Sequence, residues 1–359
     1  MRFSLSVTAI TTATTTKPLF SDLSPRLRRA TAMSQSHPIP PTATESPISY
    51  PVPLSPPLTP LSKQVELARA MSASSKSSAF SLSRSHVVYE DEWLVAVNKP
   101  PGVYCESVLA SAPRVVLGDS VDSGCTEAVP ELHLANRLDR DTSGIMLITK
   151  LHKVASRLVK AFTEHKVRKT YIALCVGLAP KWETIIIRSG HGRSKFGAWR
   201  VYGAPDVGRT LPGGSVVRDM ETSFEVLSVN GQLKSKEPIK HGKDNENIIV
   251  VEEKSSIGDN ETKDVVLVRA YPRSGRTHQI RLHCQYLGIP LRGDVKYEGV
   301  YEWEGQTYDY HALHAESLSF EHPVTGVPLM FQAPLPAWAA ECCPNEIPPA
   351  FSSNEIHMG

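Results

Sequence analysis

Several features that mark large classes of protein are missing from this sequence. Among its 359 residues, no apolar run approaches the roughly 18 to 20 residues that a membrane-spanning helix needs, so we expect no membrane partner. Lysine and arginine total 39 against 37 acidic residues, and the net charge of +2 does not by itself indicate a polyanionic partner. The six cysteines include no C-x-x-C pair, which argues against a disulfide scaffold or a zinc finger and suits a reducing compartment.

Acidic residues are also scarce at the N-terminus. Residues 1–40 contain one acidic residue, Asp22, against five basic ones, and they are rich in serine and threonine. This composition is typical of an organellar transit peptide, and a simple disordered leader is the alternative. We therefore expect a chloroplast or mitochondrial destination, with a cytoplasmic form if translation starts at Met33.

Proline and serine dominate the next segment. Nine prolines lie between Pro38 and Pro60, and serine-rich sequence continues to Ser85. Such a composition lacks the apolar residues that a core requires. We predict a mostly disordered linker over residues 41–85, with one short helix near Lys63–Met71.

From residue 86 onward, apolar runs of strand length alternate irregularly with single helical patterns. Strands are predicted in residues 86–98 (two, around an acidic turn), 144–149, 169–176 and 265–270, and helices over residues 151–162 and after an N-cap at Thr277. A charged stretch over residues 230–264 predicts an exposed insertion, and residues 341–359 a C-terminal tail. Because regular βαβ alternation is lacking, we predict an α+β domain over residues 86–340 with a largely antiparallel sheet.

The segment Asn136–Gly144 combines two carboxylates, Asp139 and Asp141, with two arginines just before a predicted buried strand. An arginine beside a carboxylate keeps it ionised, and an ionised carboxylate can act as a nucleophile or a base. The alternative is an ordinary turn in which the polar side chains bond to their own backbone.

A second polar segment, Arg273–His283, places Arg281 at the edge of the apolar face of a predicted helix. A guanidinium in that position needs an anionic partner, and a carboxylate is the usual one. Several histidines lie here and farther on, but no H-E-x-x-H motif or cysteine accompanies them, so we predict no metal site.

A third segment, Arg188–Tyr202, interleaves basic and aromatic side chains and contains no acid. Cations bind phosphates while aromatic faces stack on bases, so this pattern suits single-stranded or looped RNA. A solvated loop whose aromatic residues pack inward is the alternative. The glycines at 190 and 192 lack the Lys-Ser/Thr of a phosphate-binding loop, which argues against nucleotide hydrolysis.

Four blocks in this order resemble the RluA-type RNA pseudouridine synthases, and the chain looks like a plant-like member with an N-terminal extension. The blocks are Arg137–Gly144, Lys169–Tyr171, Gly275–Arg281 and Leu313–Gly326. The resemblance covers residues 86–336 and implies the fold of that family, a mixed, mostly antiparallel central sheet with flanking helices. Asn136 stands where the family usually has histidine, which concerns substrate contacts more than catalysis.

The resemblance also implies roles for individual residues. Asp139 matches the catalytic aspartate, Tyr171 the tyrosine that stacks on the target ring and serves as a candidate general base, and Arg281 the arginine that pairs with the aspartate. Arg137 matches a residue that helps to displace the target nucleotide. The other residues that we expect to contact RNA are Arg140, Lys169, Arg193, Lys195, Trp199, Arg200, Arg276 and His278.

The implied activity is that of an isomerase, an intramolecular transferase acting on RNA uridines. The N-glycosidic bond breaks, the uracil turns, and its carbon 5 joins the sugar. Since this involves no redox change, phosphate transfer or net hydrolysis, we expect no cofactor, no nucleotide and no metal. We expect RNA (rRNA or tRNA) as the partner and a monomeric protein.

The residues alone leave two other functions open. A non-catalytic RNA-binding relative would use the same cleft, although a pure binder has no physical need for Asp139, Tyr171 and Arg281 together. A carboxylate glycosidase would pair Asp139 with Asp141. However, carboxylates flanked by arginines should both be ionised, which leaves no protonated acid for the leaving group.

Overall fold

Fifteen strands and five α-helices make up the part of the chain that the structure describes. This computed structural model describes residues 49–58, 60–117, 131–233, 248–252 and 263–342. The helices are α1 (Pro60–Ala79), α2 (Cys105–Leu117), α3 (His152–Thr163), α4 (Gln279–Tyr286) and α5 (Ala337–Cys342). The strands are β1 (Val87–Glu90), β2 (Leu94–Lys99), β3 (His133–Leu134), β4 (Ser143–Thr149), β5 (Arg168–Gly177), β6 (Thr184–Arg193), β7 (Trp199–Tyr202), β8 (Arg218–Val229), β9 (Gln232–Leu233), β10 (Ile248–Val250), β11 (Asp264–Pro272), β12 (Glu302–Trp303), β13 (Gln306–Thr307), β14 (Leu313–Glu321) and β15 (Pro328–Gln332).

Thirteen of these strands form one sheet, in the order β1-β2-β4-β14-β5-β11-β8-β6-β10, with β3, β7, β9 and β15 paired to members of this path. All neighbours are antiparallel except β4 with β14 and β6 with β10. The predicted α+β class with a mostly antiparallel sheet is confirmed. Among the described residues, no helix is long and apolar enough to span a membrane.

Strand β4 is buried along its whole length because helices cover it on both faces. Met146 and Ile148 pack in one apolar cluster with Val108 of α2, while Leu147 packs on the opposite face with Leu158 of α3. A strand covered on both sides needs apolar residues at every position, which explains the continuous run in the sequence. Its N-terminal end is therefore a rigid support for the loop that precedes it.

The order of the strands brings the polar segments together. Strand β5 lies between β14 and β11, so that Tyr171 is opposite Ala315 on one side and Ala270 on the other. The segment leading into α4 follows β11 directly, and the loop before β4 reaches the same end of the sheet. Three segments that are far apart in sequence thus meet at one cleft.

Helix α1 shows that the linker predicted over residues 41–85 is wrong for the residues that the structure describes there. The helix runs for 20 residues and so extends well beyond the short helix predicted near Lys63–Met71. Pro60 is its first residue, where a missing backbone N–H costs nothing. The helix is held through buried polar side chains, among them Arg69 and Ser77, rather than through an apolar face, so composition concealed it.

The remaining predicted boundaries have mixed outcomes. Within the insertion predicted at 230–264, β10 adds to the edge of the sheet beside β6, whereas residues 234–247 and 253–262 lie outside the described residues. Helix α5 continues to Cys342, past the predicted domain end at residue 340. The predicted transit peptide and residues 343–359 of the predicted tail also lie outside the described residues.

Replacing Gly144 by alanine should destabilise the fold where β4 meets β14. Gly144 has φ +109°, and a Cβ atom there would lie 2.2 Å from the carbonyl oxygen of Ala315. We expect the free energy of unfolding to fall by about 3 kcal/mol, measured by urea denaturation. Gly305→Ala is the matched control, because Gly305 also has positive φ (+76°) but no atom within 4 Å of the added methyl group. Equal losses in the two variants would contradict the close-contact explanation.

Candidate active site

The three segments enclose a cleft of about 1000 Å³. Its walls come from the loop before β4, the start of β5, the segment leading into α4 and two later turns. Residues lining it include Asn136, Arg137, Asp139, Arg140, His165, Lys169, Tyr171, Arg218, Arg276, His278, Arg281, Lys296 and His311. The cleft thus brings together the three predicted catalytic residues and five of the nine predicted RNA-binding residues.

The backbone that follows Asp139 is fixed by hydrogen bonds to its carbonyl groups. The carbonyl of Asp139 accepts a hydrogen bond from the Thr142 N–H at 3.1 Å, which closes a turn. The carbonyl of Arg140 accepts hydrogen bonds from the Gly102 N–H at 3.0 Å and from Lys99 Nζ at 2.8 Å. Burial lowers the pKa of Lys99 to about 8, and its ammonium also donates to two nearby carbonyls. The catalytic loop is therefore tied to the end of β2.

Arg281 lies between two carboxylates. Its Nη1 donates to Asp139 Oδ2 at 2.8 Å, while its Nε and Nη2 donate to the two oxygens of Asp294 at 2.7 and 2.8 Å. The paired hydrogen bonds to Asp294 fix the plane of the guanidinium and aim its remaining nitrogen at Asp139. The sequence predicts a carboxylate partner for this arginine, and the contact with Asp139 is present. The second partner, Asp294, has no counterpart in the sequence prediction.

The environment of Asp139 keeps its carboxylate ionised. Burial raises its pKa, but the charges of His278, Arg281 and His311 outweigh this effect and hold the pKa of Asp139 well below its usual range. Burial lowers the pKa of His278 to about 3 and that of His311 well below its usual value. Both rings are therefore neutral at physiological pH, and Arg281 is the charge that stabilises the carboxylate there.

Tyr171 projects into the cleft from β5, beside Asp139. Burial and the charge of Asp139 both raise the pKa of its phenol. The hydroxyl therefore keeps its proton at neutral pH, which argues against the general-base role that the family resemblance implied. A protonated ring in this position suits stacking on a planar base.

Helix α4 begins differently from the prediction. Its N-cap is His278, with φ +59°, rather than Thr277. His278 Nδ1 is hydrogen-bonded to the hydroxyl of Tyr297 at 2.7 Å, and its Nε2 lies 3.8 Å from Asp139 Oδ2. The left-handed backbone at His278 turns its side chain toward the cleft, where the ring lies against the carboxylate.

The segment before α4 is held by Gln279 and Lys169. The Gln279 side-chain oxygen accepts hydrogen bonds from Ser274 Oγ at 2.7 Å and the Arg276 N–H at 3.0 Å. Lys169 Nζ donates to the Ser274 carbonyl at 2.8 Å, and burial lowers the pKa of this amine to about 8. The guanidinium of Arg276 pairs with Asp219 at 2.8 Å. Lys169 and Arg276 therefore form one wall of the cleft.

The arginines of the catalytic loop have separate surroundings. Arg137 is 72 % exposed, and its guanidinium lies 2.9 Å from Glu106 at the rim of the cleft. Arg140 is nearly buried and donates two hydrogen bonds to Asp141, at 2.7 and 2.5 Å. Because both oxygens of Asp141 are engaged by Arg140, this carboxylate is not placed as a partner of Asp139. The paired arrangement that a glycosidase needs is not formed by these two residues.

The four remaining predicted RNA-binding residues lie on the hairpin of β6 and β7, outside the lining of the cleft. Trp199 stacks on His191 with 4.7 Å between ring centres, and the guanidinium of Arg193 lies 5.4 Å from the centre of the Trp199 ring. His191 Nε2 is hydrogen-bonded to the carbonyl of Thr277 at 2.9 Å, so the hairpin adjoins the segment before α4. At its tip, Lys195 lies over the ring of Phe196, which is 85 % exposed.

Arg200 does not suit the role predicted for it. Its side chain is 8 % exposed, and its Nε donates to the hydroxyl of Ser55 at 2.9 Å. The same hydroxyl accepts a hydrogen bond from the Val201 N–H at 3.1 Å. The prediction of a surface contact with RNA at Arg200 is therefore wrong, because the segment at residues 49–58 covers it.

Several residues of the site carried no recognisable signal in the sequence. Asp294 and Lys99 act through pairings that no local pattern reveals, and His311 reaches the cleft from a loop before β14. Lys296 and Arg218 add positive charge to the cleft walls. The described residues contain no group of three or more His, Cys, Asp or Glu side chains suited to hold a metal ion.

A model of a protein family described as RNA pseudouridylate synthase matches residues 93–286, which include Asp139, Tyr171 and Arg281. The chain belongs to this family. One similar protein is RNA pseudouridine synthase 1 of Arabidopsis thaliana, which is 62 % identical to this chain over 76 % of this chain and 81 % of the relative. The RluA-type resemblance inferred from the sequence is confirmed.

Other relatives extend the similarity within the family. RNA pseudouridine synthase 1 of Oryza sativa subsp. japonica is also 62 % identical, over 76 % of this chain and 78 % of the relative. Ribosomal large subunit pseudouridine synthase C of Pasteurella multocida (strain Pm70) is 31 % identical over 73 % of this chain and 68 % of the relative. The chain described by the present structure is therefore, like other members of its family, an isomerase that acts on RNA uridine.

Proposed function

We propose that this synthase converts uridine to pseudouridine in RNA with Asp139 as its catalytic carboxylate. The observation that carries the proposal is the ionised Asp139, about a quarter exposed in the cleft and held by Arg281 at 2.8 Å. The reaction breaks the bond between N1 of uracil and the sugar and forms one between carbon 5 and the same sugar carbon. The proton on carbon 5 is released and N1 gains a proton, so the product is an isomer of the substrate.

An ionised carboxylate is needed whichever atom it engages first. It can attack the sugar, attack the uracil ring, or remove a sugar proton to assist elimination. In each route Arg281 stabilises the ionised form of Asp139, so the carboxylate does not take up a proton from solvent. Tyr171 offers a flat surface beside the carboxylate on which the detached uracil can stack while it turns. Because burial and the charge of Asp139 raise the pKa of its phenol, we do not propose Tyr171 as the group that accepts the proton from carbon 5.

We propose that the target nucleotide enters the cleft after leaving its stack. This costs a few kcal/mol, least where the RNA is already looped. The rim of the cleft carries the positive side chains of Arg137, Lys169, Arg218, Arg276 and Lys296. These cations suit the phosphates on either side of an extruded nucleotide.

We also propose that the β6–β7 hairpin contacts RNA beside the target. It presents Phe196 and the cations of Arg193 and Lys195 to solvent, and its base adjoins the cleft through Thr277. An exposed aromatic ring flanked by cations is suited to an unpaired base and its phosphate. In this proposal Trp199 supports the hairpin by packing against His191. Arg193 binds the phosphate of the nucleotide that stacks on Phe196.

Replacing Phe196 by alanine should weaken RNA binding without slowing the chemical step. Loss of one stacking surface costs about 1–3 kcal/mol, so we expect Kd to rise about tenfold while kcat at saturating RNA stays the same. Titration of substrate RNA followed by fluorescence anisotropy measures the first quantity. Phe196→Tyr keeps the aromatic face and should bind like the wild type. Wild-type affinity in Phe196→Ala would contradict a stacking role.

Ribosomal RNA is the first substrate class that we propose, with transfer RNA second. The support is the name of the 31 % identical relative, which refers to the large ribosomal subunit. We further propose that the protein acts as a monomer, because one chain supplies every residue that the cleft uses. The composition of residues 1–40 supports action in a chloroplast or mitochondrion.

Product analysis tests the proposed activity against the alternative of a non-catalytic RNA-binding protein. RNA from cells lacking the gene is incubated with the full chain, digested to nucleosides and separated by chromatography. An increase in pseudouridine at the expense of uridine is the expected result. RNA that binds to the protein but gains no pseudouridine would favour the non-catalytic binder.

A further inference from the structure

Helix α1 carries a buried arginine that reaches a distant part of the chain. Arg69 is 8 % exposed, and its Nη1 donates to the carbonyl of Gly293 at 2.7 Å. Its Nη2 donates to the carbonyl of Tyr308, and its guanidinium lies 5.7 Å from the centre of the Tyr301 ring. One side chain thus holds two points of the backbone between α4 and β14.

The carbonyl held by Arg69 belongs to the peptide unit that joins Gly293 to Asp294. The N–H of the same peptide unit donates to the Leu291 carbonyl at 3.0 Å. Both polar atoms of this peptide are therefore fixed, one by α1 and one by the local turn. The orientation of Asp294 follows from that of its peptide. Asp294 in turn holds Arg281 by two hydrogen bonds.

Helix α1 also contacts the opposite side of the cleft. Glu66 lies 3.5 Å from the guanidinium of Arg140, the residue after Asp139. Ser77 Oγ accepts a hydrogen bond from the Tyr104 N–H at 3.1 Å. The helix therefore bridges the loop that carries Asp139 and the turn that carries Asp294. The region matched by the family model begins at residue 93, after α1.

We propose that Arg69 is a positioning residue for the isomerisation. By fixing the peptide before Asp294, it keeps Arg281 aimed at Asp139. This inference rests on the proposed role of Asp139. It assigns α1 to the catalytic unit. We therefore expect a truncation that removes α1 to impair the chemical step, although every cleft residue from 104 onward remains.

Three substitutions on α1 test this role in the full chain. Arg69→Ala removes both hydrogen bonds, whereas Arg69→Lys keeps the charge and can still donate to one carbonyl. Lys63→Ala is the matched control, because Lys63 is an exposed cation on the same helix. For each variant, kcat and KM are measured with substrate RNA across pH, and circular dichroism shows whether the protein is folded at the assay temperature.

We expect Arg69→Ala to lower kcat about tenfold with KM nearly unchanged, since a small misplacement of a catalytic group slows the chemical step. The acid limb of the kcat profile should also move to higher pH. When Arg281 is less well aimed, burial raises the pKa of Asp139 and the carboxylate loses its charge at a higher pH. The titratable and charged groups that face Asp139 are Arg281, His278, His311, Tyr171, Lys296, Lys99 and Tyr297. Arg69→Lys should recover part of kcat, and Lys63→Ala should behave as wild type.

A folded Arg69→Ala protein with wild-type kcat and an unchanged acid limb would overturn the proposal. If that variant is unfolded at the assay temperature, Arg69→Lys decides. A lowered kcat with a shifted acid limb supports positioning, and wild-type values contradict it. Asp139→Asn is assayed alongside. Turnover by Asp139→Asn would overturn the proposed function itself, whereas its inactivity beside an unaffected Arg69→Ala would overturn only the role of Arg69.

Discussion

Replacing Arg281 by methionine should reduce both stability and activity. Asp294 is 1 % exposed and receives two hydrogen bonds from this guanidinium, so the substitution leaves a buried carboxylate without its partner. We expect the free energy of unfolding to fall by about 3–5 kcal/mol, measured by urea denaturation at neutral pH. Arg114→Met, at an exposed site on α2, should leave stability nearly unchanged.

The same substitution should change the pH dependence of activity. In the wild type, the charges of His278, Arg281 and His311 hold the pKa of Asp139 below its usual range, and Arg281 is the one that stays charged at every pH assayed. The carboxylate therefore stays charged as the pH falls through 4. Without Arg281, burial raises this pKa, and activity is lost at a higher pH. We expect kcat at neutral pH to fall about 100-fold or more and the acid limb to shift upward.

A double variant separates the two effects of Arg281. Arg281→Met combined with Asp294→Asn removes the uncompensated buried charge, so we expect it to recover much of the lost stability. It should not recover activity, because Asp139 still lacks its cation. A double variant that regained wild-type kcat would contradict the role assigned to Arg281. A stable, fully active single variant would contradict the whole arrangement.

Replacing Asp139 by asparagine should stop the reaction while leaving RNA binding intact. The amide has the same shape as the carboxylate but is neither a nucleophile nor a base at neutral pH. We expect the single-turnover rate to fall at least about 10³-fold, with Kd for substrate RNA within about threefold of wild type. Asp309→Asn, an exposed substitution outside the cleft, should retain full activity.

Stability gives a second check on the ionised state of Asp139. Because its pKa is lowered on folding, the charged carboxylate contributes stability above its unfolded-state pKa of about 4, and this contribution is lost as the pH falls below that value. The difference in unfolding free energy between wild type and Asp139→Asn should therefore be constant at neutral pH and shrink toward pH 3. A difference that grew on acidification would contradict a lowered pKa.

Local sequence patterns were enough to predict the scaffold of the site. The apolar run at 144–149 corresponds to β4, which is buried on both faces and is therefore apolar at every position. The helical spacing at 151–162 corresponds to α3, which is buried on one face and is apolar only there. The carboxylate partner of Arg281 was also predictable, because a guanidinium at the edge of the apolar face of a helix needs an anion. The sequence pattern could not show that two carboxylates, Asp139 and Asp294, share this arginine.

Contacts between distant residues were beyond such patterns. Arg69 and Gly293 are 224 positions apart, and serine- and proline-rich composition around α1 favours disorder. The hairpin shows a different limit. Its basic and aromatic composition suited RNA, but composition does not distinguish Phe196, which faces solvent, from Arg200, which Ser55 covers. Tertiary packing decides both cases.

Tritium release from carbon 5 of uridine tests the central claim most directly. Labelled RNA loses tritium to water only when carbon 5 gives up its hydrogen, as the isomerisation requires. Wild type and Asp139→Asn are compared under single-turnover conditions on RNA from cells lacking the gene. We predict release by the wild type and none above background by Asp139→Asn. Equal release by both proteins would show that Asp139 is not the catalytic carboxylate.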